Sequence, residues 1–134
     1  MQIVTQVSVA IPNVPSSLAV LGDRLRAADV NINAISCSEG NPSSIIHLIV
    51  SDSDTAKLVL HELGPVSQKS VLALLMENKT GVIAKIGRAC AAANVNIRNI
   101  YATTYGKESM VYIDTDDAEK ALSSLKQWTN GSFS

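Results

Sequence analysis

The stretch "ADVNINAI" at residues 28–35 returns as "ANVNIRNI" at residues 93–100, 65 positions further along the chain. The same offset carries Val7, Val9 and Ile11 onto Leu72, Leu74 and Met76, and Leu18, Leu21 and Gly22 onto Ile83, Ile86 and Gly87. Matching residue types at one fixed spacing mean an internal duplication, which has to be recognised before domains are counted. The 134 residues divide into modules at 1–68 and 69–134. A module of this size buries a smaller share of its surface than a larger domain does. The two are therefore expected to share a core or extend a common sheet rather than fold independently.

Within a module the apolar period changes along the chain. "QVSVAI" (6–11) and "LALLME" (72–77) alternate as half-buried strands do. Leu18, Leu21, Leu25 and Ala28 then recur at helical spacing, as do their counterparts Ile83, Ile86, Cys90 and Ala93. Asn13 and Asn78 are placed to cap these helices, and Asp29 and Asn94 to end them in a left-handed turn. "NINAISCS" (31–38) and "NIRNIYAT" (96–103) read as second strands, each running through a turn-rich segment into a third, "IIHLIV" (45–50) or "SMVYID" (109–114). The second turn reads two residues shorter, so the offset is expected to fall to 63 there, setting Val50 against Ile113 and His47 against Met110. Last come helices "DTAKLVLHEL" (54–63) and "DAEKALSSLK" (117–126), with Ser53 and Asp116 as expected caps and Gly64-Pro65 as a stop.

Each module reads strand, helix, strand, strand, helix. Adding a fourth strand gives an α+β fold of two ferredoxin-like βαββαβ units, with helices on one face of antiparallel sheets. "PVSQKSVLALLM" (65–76) is long enough to close the first unit and open the second. The second is followed by "WTNGSFS" (128–134), a poor strand. The opening "MQIVT" (1–5) is therefore expected to complete the second sheet, which would interleave the edge strands of the two units.

Composition excludes several functions. A net charge of −1 from 11 basic and 12 acidic residues leaves no footprint for a phosphate backbone, so no nucleic-acid partner is expected. The chain has no apolar run of about 18 residues and opens without a signal-peptide pattern, which points to a cytoplasmic protein that does not enter a membrane. Asn78-Lys79-Thr80 and Asn130-Gly131-Ser132 have the form of glycosylation sequons but read as chance matches. Cys37 and Cys90 have neither metal-site nor disulfide spacing, and Cys90 takes the helical position of Leu25, as a buried thiol would. Ferredoxin-like metal carriers need two thiols in the first strand-to-helix loop, and this chain has none there. Base-stacking aromatics are confined to Tyr101 and Tyr112 of one repeat. "YGKES" (105–109) resembles the end of a phosphate loop but lacks its leading glycine and following helix, and reads as a hairpin turn. His47 and His61 have no partner nearby in sequence. No catalytic residue, metal or cofactor is expected.

What remains is the loop between first strand and first helix. "ENKTGVIAKI" (77–86) brings Asn78 and Gly81 to a helix N-terminus, where unpaired N–H groups carry partial positive charge and suit a small carboxylate. Gly81, without a Cβ, permits close approach.

A strand, an Asp/Asn-x-Pro-Gly-x-Leu pattern at the helix start, and Val-Asn-Ile opening the second strand together resemble the ACT domain, the amino-acid-sensing regulatory module of metabolic enzymes. The resemblance covers nearly the whole chain, twice, and is similar to free-standing two-ACT proteins and to the regulatory tail of aspartokinases. It implies an effector amino acid lying between two units, held by the loop of one and the start of the second strand of another. Carried over by position, the loop residues are Asn78, Lys79, Thr80, Gly81, Val82 and Ile83 in the second repeat, and Asn13, Val14, Pro15, Ser16, Ser17 and Leu18 in the first. Asn31 and Asn96 match the asparagine that reaches the ligand from the neighbouring unit. Thr80 replaces the usual proline of the second loop, and Ser16 replaces the usual glycine of the first, so the second loop is expected to be the better site. The implied protein is a non-catalytic, homodimeric amino-acid-binding regulator. The alternative is a ligand-free subunit that docks on a biosynthetic enzyme such as an aspartokinase.

Overall fold

A computed structural model describes residues 1–129. The sequon at Asn130 and the end of the "WTNGSFS" segment lie outside the described residues. The order is β1 (Gln2–Pro12), α1 (Ser17–Ala27), β2 (Ile32–Ser38), β3 (Ser43–Val50), α2 (Ser53–Leu60), β4 (Val66–Glu77), α3 (Val82–Ala92), β5 (Ile97–Tyr105), β6 (Glu108–Thr115) and α4 (Ala118–Thr129). The chain separates into two compact units, one of Thr5–Lys69, the other joining Met1–Val4 to the chain from Ser70 onward. Strands β1 and β4 thus give residues to both.

In the first-repeat unit the strand order is β2-β3-β1-β4, the arrangement of a split βαβ sheet. Its core is Val7, Val9 and Ile11 of β1 and Ile46 and Leu48 of β3 against Leu21 and Leu25 of α1 and Ala56 and Leu60 of α2. Both helices therefore cover one face. The second-repeat unit has the order β1-β4-β6-β5. Leu72, Leu74, Met76, Val111 and Ile113 meet Ile86, Ala89, Cys90, Ala121 and Leu125, and Ile3 of β1 packs against this cluster. The Cys90 thiol is buried, and burial pushes its pKa up. Cys37 is exposed.

Pairing corrects the expected register. Val7 lies opposite Leu48 and Leu72 opposite Ile113, and these pairs are 65 residues apart on both strands. The offset does not fall to 63. Ser38 faces Ile45 while Thr103 faces Met110, after which Thr104 and Tyr105 continue to pair with Ser109 and Glu108. The second turn has absorbed residues into its strands and tightened around Gly106, at φ 64, without losing length. His47 is consequently the counterpart of Tyr112, not of Met110. Even the irregularity is repeated, between Ile32 and Ala34 and between Ile97 and Asn99.

Helix ends also shift by a residue. Asp52, not Ser53, caps α2, its Oδ1 accepting from the Thr55 N–H at 3.1 Å and its Oδ2 from the Thr55 hydroxyl at 2.6 Å. The hydroxyl bond is the larger cause holding this exposed carboxyl below its usual range. Asp117, not Asp116, accepts from the Lys120 N–H at 3.1 Å. Asp116 is occupied elsewhere, its Oδ1 taking the Asn96 N–H at 3.0 Å. Asp29 and Asn94 both adopt φ 57 and turn the chain out of α1 and α3 as expected.

The repeats diverge on the sheet positions that alternate with the core residues. Ser8 Oγ and His47 Nδ1 are 2.7 Å apart, with Gln6 Nε2 3.4 Å from the same nitrogen. Thus His47 has polar partners that lie far away in sequence. The counterparts of Gln6, Ser8 and His47 are Val71, Ala73 and Tyr112, and Tyr112 stacks on Tyr101 with ring centres 5.4 Å apart. Burial, then Tyr112 and Asp114, pushes the Tyr101 pKa up to about 12.

Two outcomes follow from this packing. Ile3→Ala should cost roughly 1–3 kcal/mol, less than a fully buried truncation, and hydrogen exchange should accelerate in β4, α3 and α4 more than in α1 and α2. Tyr101 has a folded pKa above the unfolded value of about 10, so its contribution to stability is complete below pH 10 and falls as the pH rises toward 12. Ultraviolet titration of wild type against Tyr101→Phe should assign the late-ionising phenol to Tyr101.

Candidate functional site

The strand-to-helix loops differ from the expected caps. Helix α3 begins at Val82 with Gly81 as its N-cap residue, and α1 begins at Ser17 with Ser16 in that place. Asn78 and Asn13 lie three residues earlier and do not cap. Asn78 instead donates from Nδ2 to the Gly106 carbonyl at 3.1 Å, and its backbone N–H to the Lys107 carbonyl at 2.8 Å. Asn13 repeats this with Gly40 and Pro42, each at 3.1 Å. A carbonyl can only accept, so each side chain is oriented with Nδ2 toward the hairpin. The asparagine staples the loop to the hairpin turn.

Gly81 stands at φ 90, where an L side chain is strained, and the space beyond its missing Cβ is open. Ser16 has φ −86, an ordinary helical value, and Ser17 Oγ donates to the Pro12 carbonyl at 2.6 Å. Lys79 Nζ lies 2.7 Å from Glu77 Oε2, and this bond lowers the Glu77 pKa. Val82 enters the core, whereas Ile83 and Leu18 are 54% and 56% exposed. The helical spacing had assigned both to a buried face. They lie in the first turn, ahead of the core-facing Ile86 and Leu21. Val14 is also exposed. In the second loop the N–H groups of Thr80, Gly81 and Ile83 make no backbone hydrogen bond among the described residues.

Asn31 and Asn96 immediately precede β2 and β5. The Asn31 N–H donates to Ser51 Oγ at 2.9 Å, matching the bond from Asn96 to Asp116, and Asn31 Nδ2 donates to Asn33 Oδ1 at 2.9 Å. A groove of about 350 Å³ lies beside Asn31, lined also by Gly22, Arg26 and Asp29. The sequence reading had missed these last three. Comparing the repeats position by position would have exposed two of them, because Arg26 and Asp29 have Ala91 and Asn94 as uncharged counterparts. A second groove, of about 240 Å³, adjoins the first loop at Pro12, Ser16 and Ser17.

A single unit does not bring loop and asparagine together. Glu77, next to Asn78, pairs with Glu108 at the start of β6, while Ile97, next to Asn96, pairs with Thr115 at its end. Over the eight residues of β6 that separation is roughly 23 Å. The first repeat is built alike, with Pro12 opposite Ser43 and Ile32 opposite Val50 at the two ends of β3. Each unit therefore holds its strand-to-helix loop and its second-strand asparagine at opposite ends of its sheet.

The model of the ACT domain pair matches residues 1–127. The chain belongs to the ACT domain pair family. Among solved structures it is similar to a protein from Bacteroides thetaiotaomicron, with a TM-score of 0.87 and 24% identity over 95% of this chain and 89% of that one. The ligand-free regulatory subunit of aspartate kinase from Thermus thermophilus matches with a TM-score of 0.66 and 18% identity over 95% and 97%. Aspartate kinase from Synechocystis matches with a TM-score of 0.63 and 22% identity, over 98% of this chain and 27% of the kinase. These likenesses establish the fold. No curated protein sequence matches this ACT pair. Among the described residues of the ACT pair there is no cluster of three metal-ligating side chains, and no helix is long and apolar enough to cross a membrane.

The backbone at Gly81 gives a direct test of the loop. Gly81→Ala should destabilise the protein by roughly 1–2 kcal/mol, because a Cβ is disfavoured at positive φ. Gly22→Ala, inside α1 with open space around its Cβ, should be neutral or stabilising by up to about 1 kcal/mol. Urea denaturation of the two variants measures both.

Proposed function

We propose that this chain is a non-catalytic, cytoplasmic regulatory protein that binds a free amino acid and acts on a biosynthetic enzyme in trans. The effector lies between ACT units of two copies in a homodimer. The observation that supports this reading is the separation of loop and second-strand asparagine at opposite ends of each sheet, so that a ligand touching both would need a complement from another unit. The free N–H groups at the start of α3 meet the α-carboxylate. The ammonium meets side-chain oxygens of Asn78 and of the facing Asn31 or Asn96. With Nδ2 of Asn78 held by the Gly106 carbonyl, Oδ1 is the atom that can accept from the ammonium. A dissociation constant of about 1 μM to 1 mM corresponds to roughly −8 to −4 kcal/mol, within reach of a few charge-assisted contacts. Binding across two copies favours one packing of the dimer, which becomes regulation when an enzyme distinguishes the packings.

The exposed side chains of Val14, Leu18 and Ile83 favour a second reading, in which the same end of the unit docks without a ligand on an enzyme such as an aspartokinase. A melting-temperature panel with the twenty amino acids at millimolar concentration separates the two readings. A selective rise for one amino acid is expected for a sensor, since ligand binding to the native state stabilises it. That rise should disappear in Ile83→Glu and in Asn31→Ala, both at exposed positions. These are better probes than Asn78→Ala, which would also release the hairpin. Flat curves across the panel would favour docking.

A further inference from the structure

The two repeats do not offer equal halves. We propose that each chain binds one effector, at the first-repeat groove, where Arg26 joins the loop N–H groups on the α-carboxylate and Asp29 joins the asparagine oxygens on the α-ammonium of an amino acid with an aliphatic side chain. This deepens the amino-acid reading above and rests on it.

The groove beside Asn31 has an apolar floor of Leu25, 1% exposed, and Val30, 6% exposed, with half-buried Ile32 beside them. Its wall is low at Gly22, where a Cβ would meet nothing within 4 Å. That floor suits an aliphatic side chain. The charged groups stand at its rim. Arg26 lies 3.5 Å from Asp23, but both side chains are largely exposed, and such a pairing is worth little and yields readily to a ligand. Among the described residues the Asp29 carboxylate has no partner. An α-amino acid carries its carboxylate and ammonium on one carbon, so a guanidinium and a carboxylate three residues apart at one helix end can address both.

Neither charge is needed by the fold. At φ 57 residue 29 has to tolerate a left-handed turn, and Asn94 does so at the same φ without a charge. The second-repeat counterpart keeps Gly87 and Asn96 but has Ala91 and Asn94 where the first has Arg26 and Asp29. Charge-assisted hydrogen bonds are about twice as strong as neutral ones, which favours the first-repeat groove. The loops are unequal in the opposite sense. The second has Gly81 with open space around it, and the first has Ser16. The better loop and the better groove thus belong to different repeats and form one favourable combination per chain.

Titration calorimetry on the intact protein, with the amino acid that raises its melting temperature most, tests this. The expected stoichiometry is one per chain, for an aliphatic amino acid. Arg26→Ala and Asp29→Asn should each weaken binding by about tenfold or more. Asp29→Asn should melt like wild type, since asparagine already fills the equivalent turn at Asn94, and Asn94→Ser should leave the affinity unchanged. Two equal sites per chain, or affinities within about twofold of wild type in both groove variants, would overturn this inference while leaving the amino-acid reading intact. A wild-type chain that binds none of the twenty would overturn both.

Discussion

A βαββα module leaves its first strand with one unpaired edge, and the rest of this structure depends on how that edge is filled. In the unit of Thr5–Lys69 the neighbour of β1 is the start of β4, where the Ala10 N–H donates to the Pro65 carbonyl at 3.1 Å. Gly64 makes the approach possible, because a Cβ there would stand 1.9 Å from the Ala10 carbonyl oxygen. In the other unit the neighbour of β4 is the start of β1, and Ile3 adds to its core. Unpaired backbone groups along a buried strand would be costly. The same covalent strand serves different units at its two ends, so neither module is complete when cut at the repeat boundary.

Much of this was legible in the sequence because it is written twice. Alternating Val7, Val9, Ile11 and helical Leu21, Leu25 each have a matching partner, and a pattern seen twice is hard to misassign. The left-handed turns at Asp29 and Asn94 were legible for a local reason, since few other residues accept that backbone. The failures also have local causes. Turn-like letters in "TYGKE" suggested a shortened loop, whereas cross-strand pairing had extended the strands through Tyr105 and Glu108. Leu18 and Ile83 fit helical spacing, but their burial depends on where the sheet ends, which spacing does not encode. Ser53 and Asp116 were each one residue off, because cap identity is decided by which carboxylate reaches the N3 amide.

The candidate site was half legible. Loop residues were found through their likeness to the family pattern. Asn13 and Asn78 turned out to fasten the hairpin, a role invisible without knowing that residues 40 and 106 come within reach. As candidate ligand contacts Arg26 and Asp29 follow no motif, and they are distinguished only by what the other repeat lacks. The two repeats differ where Arg26 corresponds to Ala91, Asp29 to Asn94 and Ser16 to Gly81, so they do not present the same groups at these positions. Function in a duplicated fold can be sought in such differences as well as in the repeated residues.

On the proposed reading, a complete site requires the loop of one copy and the groove of another. Mixing two inactive variants measures this most directly, one carrying Ile83→Glu in the loop and the other Arg26→Ala with Asp29→Asn in the groove. After the two are unfolded and refolded together, calorimetry should recover amino-acid binding that neither variant has alone, since each supplies the half that the other has lost. Failure of the refolded mixture to bind, when wild type treated identically does bind, would contradict the account and place both halves of the site on one copy.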